Sequence, residues 1–109
     1  MTNYTDKEKM EIATTIIQQL GGGGKLRAMV GASDIFALDA GVQFSFKGSK
    51  KANKIVINLT DMDLYNVIFY KINMKNIDKS MIPVETIEGA YDDMLKPIFE
   101  ETTGLYLSF

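Results

Sequence analysis

The chain contains no histidine, no cysteine and no tryptophan among its 109 residues. The lack of histidine removes the commonest general base near neutral pH. The lack of cysteine removes thiolate nucleophiles, Cys/His zinc sites and any disulfide framework, and it suits a reducing cytoplasm. Carboxylates, lysines and hydroxyls remain, but no set of them forms the pattern that a catalytic reaction needs. We therefore predict a protein that is not an enzyme and that holds neither a cofactor nor a metal ion.

Long apolar runs are also missing. The longest candidate, residues 67–70, falls far short of the roughly 18 residues that indicate a membrane span. Residues 1–6 show no basic segment followed by an apolar one, so no signal peptide is predicted. With 46% hydrophobic residues, the length fits one modest core. We expect a single domain over residues 1–109 that lies in the cytoplasm and does not bind a membrane.

The N-terminal helix is the clearest local signal. Thr5 followed by Glu8 is a capping box. Helical spacing then links Met10, Ala13, Ile16, Ile17 and Leu20. Four glycines at residues 21–24 end the helix at or near Leu20. These glycines precede Lys25, but a phosphate loop would need Gly at position 19 and Ser or Thr at position 26, where Gln19 and Leu26 stand. A hinge is the favoured interpretation, and a partner approaching the bare backbone is the alternative.

The middle of the chain predicts strands. Residues 25–30 are short and alternating, and a bend follows through residues 31–40. Residues 42–47, 54–59 and 64–70 alternate with period two, with Val42, Phe44 and Phe46 on one side. The polar residues 48–53 form a hairpin loop. Because every connection is short, four antiparallel strands in a meander are expected.

The C-terminal part predicts a second helix. We expect a loop over residues 71–81 and a helix that starts at Pro83. The apolar stripe consists of Ile87, Tyr91, Met94, Leu95, Ile98 and Phe99. Pro97 should bend this helix or restart it, and Gly104 should cap it. The predicted fold is therefore α+β: an N-terminal helix, a four-stranded antiparallel meander and a C-terminal helix, with both helices on one sheet face.

The charges are unevenly distributed along the chain. The net charge is −2, yet residues 25–79 contain nine Lys and Arg against five Asp. Residues 80–109 contain one Lys against six acidic residues. Acidic side chains on the predicted second helix form a candidate face for a basic protein partner: Asp92, Asp93, Glu100 and Glu101. A solvated helix face is the alternative. Asp61 and Asp63 fit a turn and lack the distal glutamate and glycine of a calcium loop.

The hairpin loop carries a second candidate site. Its lysines are Lys47, Lys50, Lys51 and Lys54. Together with rings at Tyr65, Phe69 and Tyr70, they describe a possible platform for single-stranded nucleic acid, where bases stack on rings and lysines contact phosphates. The chain has a single arginine, Arg27, and a pI of about 5.0, which weakens this hypothesis. The alternative is an edge loop kept soluble by lysine, with the rings in the core.

A resemblance extends across residues 20–107. The pattern consists of Gly24-Lys25, Ala28-Met29, Gly31-Ala32, then Asp63, Tyr65, Val67 and Phe69 at alternate positions, and finally Tyr91-x-Asp93-x-Leu95, Phe99 and Thr103-Gly104-Leu105. It resembles a family of small proteins encoded by bacteriophages, prophages and related mobile elements. The basic or polar residue that usually follows Gly-Ala is Ser33 here, and the loop at residues 50–54 is particular to this chain.

The resemblance implies a genetic context and no catalytic residues. Small phage proteins without catalytic groups usually bind a host or phage macromolecule, often to block a nuclease or a defence complex. A DNA mimic would need a far more negative charge than −2. We therefore expect an accessory protein that binds a host or phage protein in the host cytoplasm. A single-stranded nucleic-acid-binding accessory protein is the alternative.

Overall fold

Five strands, rather than four, form the sheet, and three α-helices accompany them. A computed structural model of the protein describes residues 4–72 and 83–107. The elements are α1 (Asp6–Gln19), α2 (Gly23–Val30), β1 (Ser33–Leu38), β2 (Gly41–Ser45), β3 (Lys54–Leu59), β4 (Tyr65–Tyr70), β5 (Pro83–Ala90), a 3-10 turn (Asp92–Met94) and α3 (Leu95–Thr103). The strands pair antiparallel in the order β1-β2-β3-β4-β5. The α+β class and the meander are confirmed, whereas the predicted strand count is wrong.

Helix α1 begins and ends as its sequence predicts. The Thr5 amide donates to Glu8 Oε1 at 2.9 Å, and the Glu8 amide donates to Thr5 Oγ1 at 3.2 Å, so the capping box is present. The helix stops at Gln19 because Gly21 and Gly22 adopt φ of 113° and 100°, which side chains rarely allow. Ile16 and Leu20 are fully buried.

The predicted strand at residues 25–30 is wrong, because these residues belong to α2. Leu26 and Val30, four residues apart, are both buried. Within six residues, apolar side chains spaced by four satisfy a helical period as well as a strand period, so the sequence pattern is ambiguous. Gly31 ends the helix in the left-handed conformation at φ 62°. The chain then enters β1, where a simple bend was expected, and Asp34 at φ 52° marks an irregularity in its pairing with β2.

The predicted helix start at Pro83 is also wrong, because residues 83–90 form β5. Thr86 and Ile87 are β-branched and favour a strand. Pairing with β4 satisfies the backbone groups along that side of β4, which a helix over residues 83–90 would leave without these partners. Helix α3 starts only at Leu95, after the 3-10 turn. Pro97 thus lies in the first helical turn, where an amide donor is not required. Of the predicted loop at residues 71–81, residues 73–81 lie outside the described part of the chain.

One face of the sheet holds the core. The inward side chains of the central strands are buried: Val42, Phe44, Ile55, Ile57, Tyr65, Val67 and Phe69. The side chains of Ile16 from α1 and Phe99 from α3 belong to the same core cluster, so both helices pack on this face. The Phe99 ring lies 5.0 Å from the Phe46 ring and 6.3 Å from the Phe44 and Phe69 rings.

The opposite sheet face carries a row of paired residues that remain partly exposed. Gln43, Val56, Ile68 and Thr86 follow one another across four strands, and Phe36 of β1 begins the row. The exposed fraction of Phe36 is 55%. Lys54 and Tyr70 are directly opposed in a parallel row on the same face.

Two glycines provide a test of this architecture. Gly24→Ala should raise the free energy of unfolding by up to about 1 kcal/mol, because alanine is the better helix former. An added Cβ at Gly24 meets nothing within 4 Å. Gly41→Ala should lower the same quantity by about 1–3 kcal/mol, because an added Cβ would lie 2.0 Å from the backbone oxygen of Ile57.

Urea unfolding followed by circular dichroism measures both effects. A loss of stability in Gly24→Ala would contradict the helix at residues 23–30 and favour a different local structure. A neutral Gly41→Ala would contradict the close approach of β2 and β3.

Candidate functional site

The charged side chains lie mainly at two opposite ends of the sheet. Strand β4 separates these ends by about 20 Å, since six residues rise roughly 3.3 Å each. At one end lie the β1–β2 turn, the β3–β4 turn, the start of α1 and the 3-10 turn. We call this the acidic end; its carboxylates are Asp6, Glu8, Glu11, Asp39, Asp61, Asp63, Asp92 and Asp93. The other end, the lysine end, contains Lys47, Lys50, Lys51, Lys54 and Lys71.

A pocket of about 300 Å³ opens at the acidic end, between α1 and the ends of strands β3 and β4. We call it the Tyr65 pocket; it is lined by Tyr4, Glu8, Glu11, Ile12, Thr15, Leu59 and Tyr65. Helical spacing places Glu8, Glu11, Ile12 and Thr15 on one side of α1. Leu59 and Tyr65 are paired at the ends of β3 and β4. The pocket therefore combines aromatic and aliphatic walls with two carboxylates, and none of its lining residues is a lysine or an arginine.

The surroundings of the Tyr65 pocket are negatively charged. Burial raises the pKa of the Tyr65 hydroxyl, and the nearby carboxylates of Asp92 and Asp63 raise it further. Hydrogen bonds from Thr5 lower the pKa of Glu8, so this side chain stays ionised. Two carboxylates, Glu8 and Glu11, line the pocket, and two others, Asp92 and Asp63, act electrostatically on the Tyr65 hydroxyl.

A larger depression of about 830 Å³ lies on the other side of α1. Asp6, Lys9 and Met10 of α1 face the β1–β2 turn and Asn58 across it. An ion pair of 3.2 Å between Lys9 Nζ and Asp39 Oδ1 joins the two walls. Because this pair places a positive charge inside the depression and no aromatic ring lines it, the Tyr65 pocket is the more distinctive site.

The structure divides the predicted acidic face of the second helix. Asp92 and Asp93 are exposed at the acidic end, where the Asp92 carboxylate accepts the Asp93 amide at 2.9 Å. Glu100 Oε2 accepts the Leu107 amide at 2.8 Å and so fastens the C-terminal segment. Glu101 is exposed but lies eight residues beyond Asp93 along the chain, about 12 Å at the rise of a helix. The four residues therefore do not form one patch.

The lysine end is organised around Ser49. Its hydroxyl donates to the carbonyl of Thr103 at the end of α3 at 2.8 Å, and the amide of Lys51 donates to Ser49 Oγ at 3.2 Å. Lys71 Nζ lies 3.4 Å from the Ser49 carbonyl. Lys47, Lys50 and Lys51 are exposed, whereas Lys54 is half-buried. The structure thus brings the four predicted lysines together and adds Lys71.

The three rings proposed to stack on nucleic-acid bases do not share a face. Phe69 is fully buried in the core, and the exposed fraction of Tyr65 is 7%. Tyr70 alone of the three lies on the outer sheet face, where it pairs with Lys54. Tyr65 is therefore close to carboxylates at the acidic end, whereas Tyr70 lies beside Lys54 at the lysine end.

The glycine loop forms the connection between α1 and α2. Gly21 and Gly22 form the turn between α1 and α2, and the Gly22 amide donates to the Ile17 carbonyl at 2.9 Å, so these residues act as a helix-ending turn.

Across residues 4–72 and 83–107, no group of three or more potential ligand side chains is placed to hold a metal ion. None of the described helices is long and apolar enough to cross a bilayer.

Sequence reasoning did not find the Tyr65 pocket. Tyr65 was assigned to a strand face and Glu8 to a helix cap, and both assignments hold. The sequence does not show that the side of α1 with Glu8 and Glu11 lies beside Leu59 and Tyr65. The acidic residues Glu8 and Glu11 beside the apolar Ile12 were the available signal.

Comparison of the chain with protein-family models, with curated proteins and with solved structures finds no match. The candidate site is therefore interpreted from its own geometry and chemistry.

The environment of Tyr65 predicts a pH dependence. Its folded-state pKa lies above the unfolded value of 10.0, so its contribution to stability is fully present below pH 10 and is lost as the pH rises through the folded pKa. The free energy of unfolding of the wild type should therefore fall more steeply above pH 10 than that of Tyr65→Phe.

Urea titrations over this range measure the difference between the two proteins. Tyr106→Phe is the matched control, because the exposed fraction of Tyr106 is 71%, and it should follow the wild-type curve. Identical pH profiles for wild type and Tyr65→Phe would contradict the negative, partly desolvated environment.

Proposed function

We propose that this chain is a non-enzymatic accessory protein that binds a basic partner protein through its acidic end. The single observation that supports this proposal is a pocket with aromatic, aliphatic and carboxylate lining, Glu8 and Glu11 among it, at the end of the sheet where Asp63 and Asp92 also lie. The lack of histidine and cysteine agrees with a role in binding rather than in catalysis.

The chemistry of this end matches a cationic protein surface. Clustered carboxylates create a negative potential that attracts positive charges over about one Debye length, roughly 8 Å at physiological ionic strength. The aromatic and aliphatic walls beneath them offer apolar area, which charge alone does not supply. Such a combination of a charged rim and a small apolar centre is typical of protein–protein contacts.

The proposed surface is a revised version of the acidic face expected from the sequence. Asp92 and Asp93 belong to it, and α1 and the β3–β4 turn supply the other carboxylates. Glu100 is excluded because it lies in the second half of α3, which leads away from the acidic end towards Ser49. Glu101 lies outside it and serves as a control position.

The resemblance to small phage and mobile-element proteins extends the proposal. On this basis the partner is a basic protein of the bacterial host or of the element itself, and the site of action is the host cytoplasm. Inhibition of a defence nuclease or complex is the outcome that such a contact would produce if it covered the partner's own anion-binding surface.

Neutralising three carboxylates tests the proposal. The variant Glu11→Gln/Asp63→Asn/Asp92→Asn should lose at least about tenfold in partner affinity, equivalent to about 1.4 kcal/mol. These changes keep local structure: asparagine tolerates the left-handed conformation of residue 63 at φ 59°, and an amide oxygen can still accept the Asp93 amide. The measurement is a nuclease-treated pull-down from host lysate, followed by titration of the purified partner.

The matched control changes the same amount of charge elsewhere. Glu85→Gln/Glu88→Gln/Glu101→Gln neutralises three exposed carboxylates on β5 and α3 and should retain wild-type affinity. Equal affinity of the two triple variants for the partner would overturn the proposal, since net charge rather than the acidic end would then control binding.

Single-stranded nucleic acid at the lysine end is a second candidate function. Residues 40–60 contain four lysines and no acidic residue. Lys71 joins them through the Ser49 carbonyl. On the outer face, Tyr70 stands beside Lys54, so one ring is placed where a base would stack.

Salt dependence tests this second candidate. The logarithm of the affinity for a single-stranded oligonucleotide should fall linearly with the logarithm of salt concentration, and Lys50→Ala/Lys51→Ala should reduce the slope by about 1.4, at about 0.7 per phosphate contact. Lys7→Ala/Lys96→Ala removes two lysines from α1 and α3 and should leave the slope unchanged. A slope that does not respond to Lys50 and Lys51 would contradict nucleic-acid binding at this end.

A further inference from the structure

The Tyr65 pocket is suited to one particular kind of side chain. Its walls are the rings of Tyr4 and Tyr65 with the aliphatic Ile12 and Leu59, and its volume is about 300 Å³. Two of its lining residues, Glu8 and Glu11, are carboxylates at the same opening. A ligand that fills this space needs an apolar stem and a positive tip, and long basic side chains have this construction.

The charges around the pocket exclude anionic ligands. Asp63 and Asp92 act electrostatically on the Tyr65 hydroxyl. Of the two lysines of α1, Lys9 is paired with Asp39 on the other side of the helix, and Lys7 lines a neighbouring depression with Glu11. A neutral apolar ligand would contact the walls but would make no use of the carboxylates at the rim. A cation satisfies both features.

An arginine fits these groups better than a lysine. A planar guanidinium stacks on aromatic faces and donates to carboxylates in pairs, whereas an ammonium is a compact and strongly hydrated charge. Glu8 Oε1 accepts the Thr5 amide, which holds that carboxylate in a fixed position. Glu11 follows three residues later on the same side of α1.

We infer that the Tyr65 pocket receives an arginine side chain from an exposed basic segment of the partner protein. The inference rests on the proposed function and names the anchor of that contact. The guanidinium lies at the opening of the pocket beside Tyr4 and donates to the Glu8 and Glu11 carboxylates, while the buried Tyr65 forms part of the lining beneath it. The apolar stem of the arginine covers Ile12 and Leu59.

Short peptides test the pocket without the partner. The probes are end-blocked Gly-Arg-Gly and Gly-citrulline-Gly, which share shape but differ in charge, and the readout is the change of amide NMR signals of the full chain. The arginine peptide should shift signals of residues around the pocket in a saturable manner. The citrulline peptide should bind at least about tenfold more weakly, which corresponds to the loss of one charge-assisted contact of about 1.4 kcal/mol.

Two variants locate the binding site. Glu11→Gln should weaken the arginine peptide several-fold, whereas Glu101→Gln, which changes the same charge on α3, should leave its affinity unchanged. Equal binding of the two peptides, signal shifts away from the pocket, or an unchanged affinity in Glu11→Gln would each overturn the inference.

The failure of this inference and that of the proposed function have different signatures. If the partner binds through the acidic end but the arginine peptide does not enter the pocket, the arginine anchor is wrong and the proposed function stands. If the peptide binds in the pocket but the triple variant Glu11→Gln/Asp63→Asn/Asp92→Asn retains the partner, the pocket is a guanidinium site and the proposed function is wrong.

Discussion

The contact of Phe99 with three rings of the sheet positions most of what the molecule presents to its surroundings. Phe44, Phe46 and Phe69 lie on the inward face of the sheet or just beyond it, and Phe99 of α3 packs among them. Aromatic pairs at these separations stabilise the fold by more than the burial of their surface area alone. By fixing α3 across the sheet, the cluster places the 3-10 turn beside Tyr65 and brings the Thr103 carbonyl to Ser49. The packing of Phe99 thus connects one element of the acidic end, the 3-10 turn, with one element of the lysine end, Ser49.

The clustering of carboxylates at one end is not what folding alone would favour. Like charges close together repel and reduce stability. Asp6 and Glu8 have a local reason for their place, because acidic groups are favourable at a helix N-terminus. Asp63 occupies a turn position with positive φ, which aspartate tolerates. Glu11 is exposed and stands four residues after Lys7 on α1, a spacing at which opposite charges attract each other. It also lines the Tyr65 pocket, so the same side chain is placed to serve the proposed site.

The parts of the fold that the sequence predicts are those with a single strong signal. The capping box of Thr5 and Glu8 fixes the start of α1, and the clean alternation of residues 54–59 coincides with β3. The prediction of a strand at residues 25–30 was wrong, because a pattern of six residues is compatible with both the spacing of a strand and the spacing of a helix. The prediction of a helix from Pro83 was wrong, because Ile87 and Tyr91 are spaced as in a helix. In the structure, Ile87 belongs to β5 and pairs with Val67 of β4. In both cases a tertiary contact decides between two local patterns of similar strength.

The site was less predictable than the fold, for a related reason. Asp92 and Asp93 were expected at a binding surface together with Glu100 and Glu101 because all four were assigned to one continuous helix. The replacement of the first part of that helix by β5 and a 3-10 turn moves the two aspartates to the end of the sheet. The Tyr65 pocket at the same end needs α1, β3 and β4 together, and no local pattern in the sequence predicts that these three elements meet.

The distance between the two charged ends bears on how the two candidate functions relate. The ends are about 20 Å apart along β4, whereas the field of exposed charges decays over about 8 Å at physiological ionic strength. A polyanion held by Lys50 and Lys51 would therefore have little effect on a basic segment held by Glu11 and Asp92. At low salt the screening length grows to about 30 Å at 0.01 M, and each ligand would then be attracted by one end and repelled by the other. The two functions are compatible in one molecule, and only their behaviour at low ionic strength couples them.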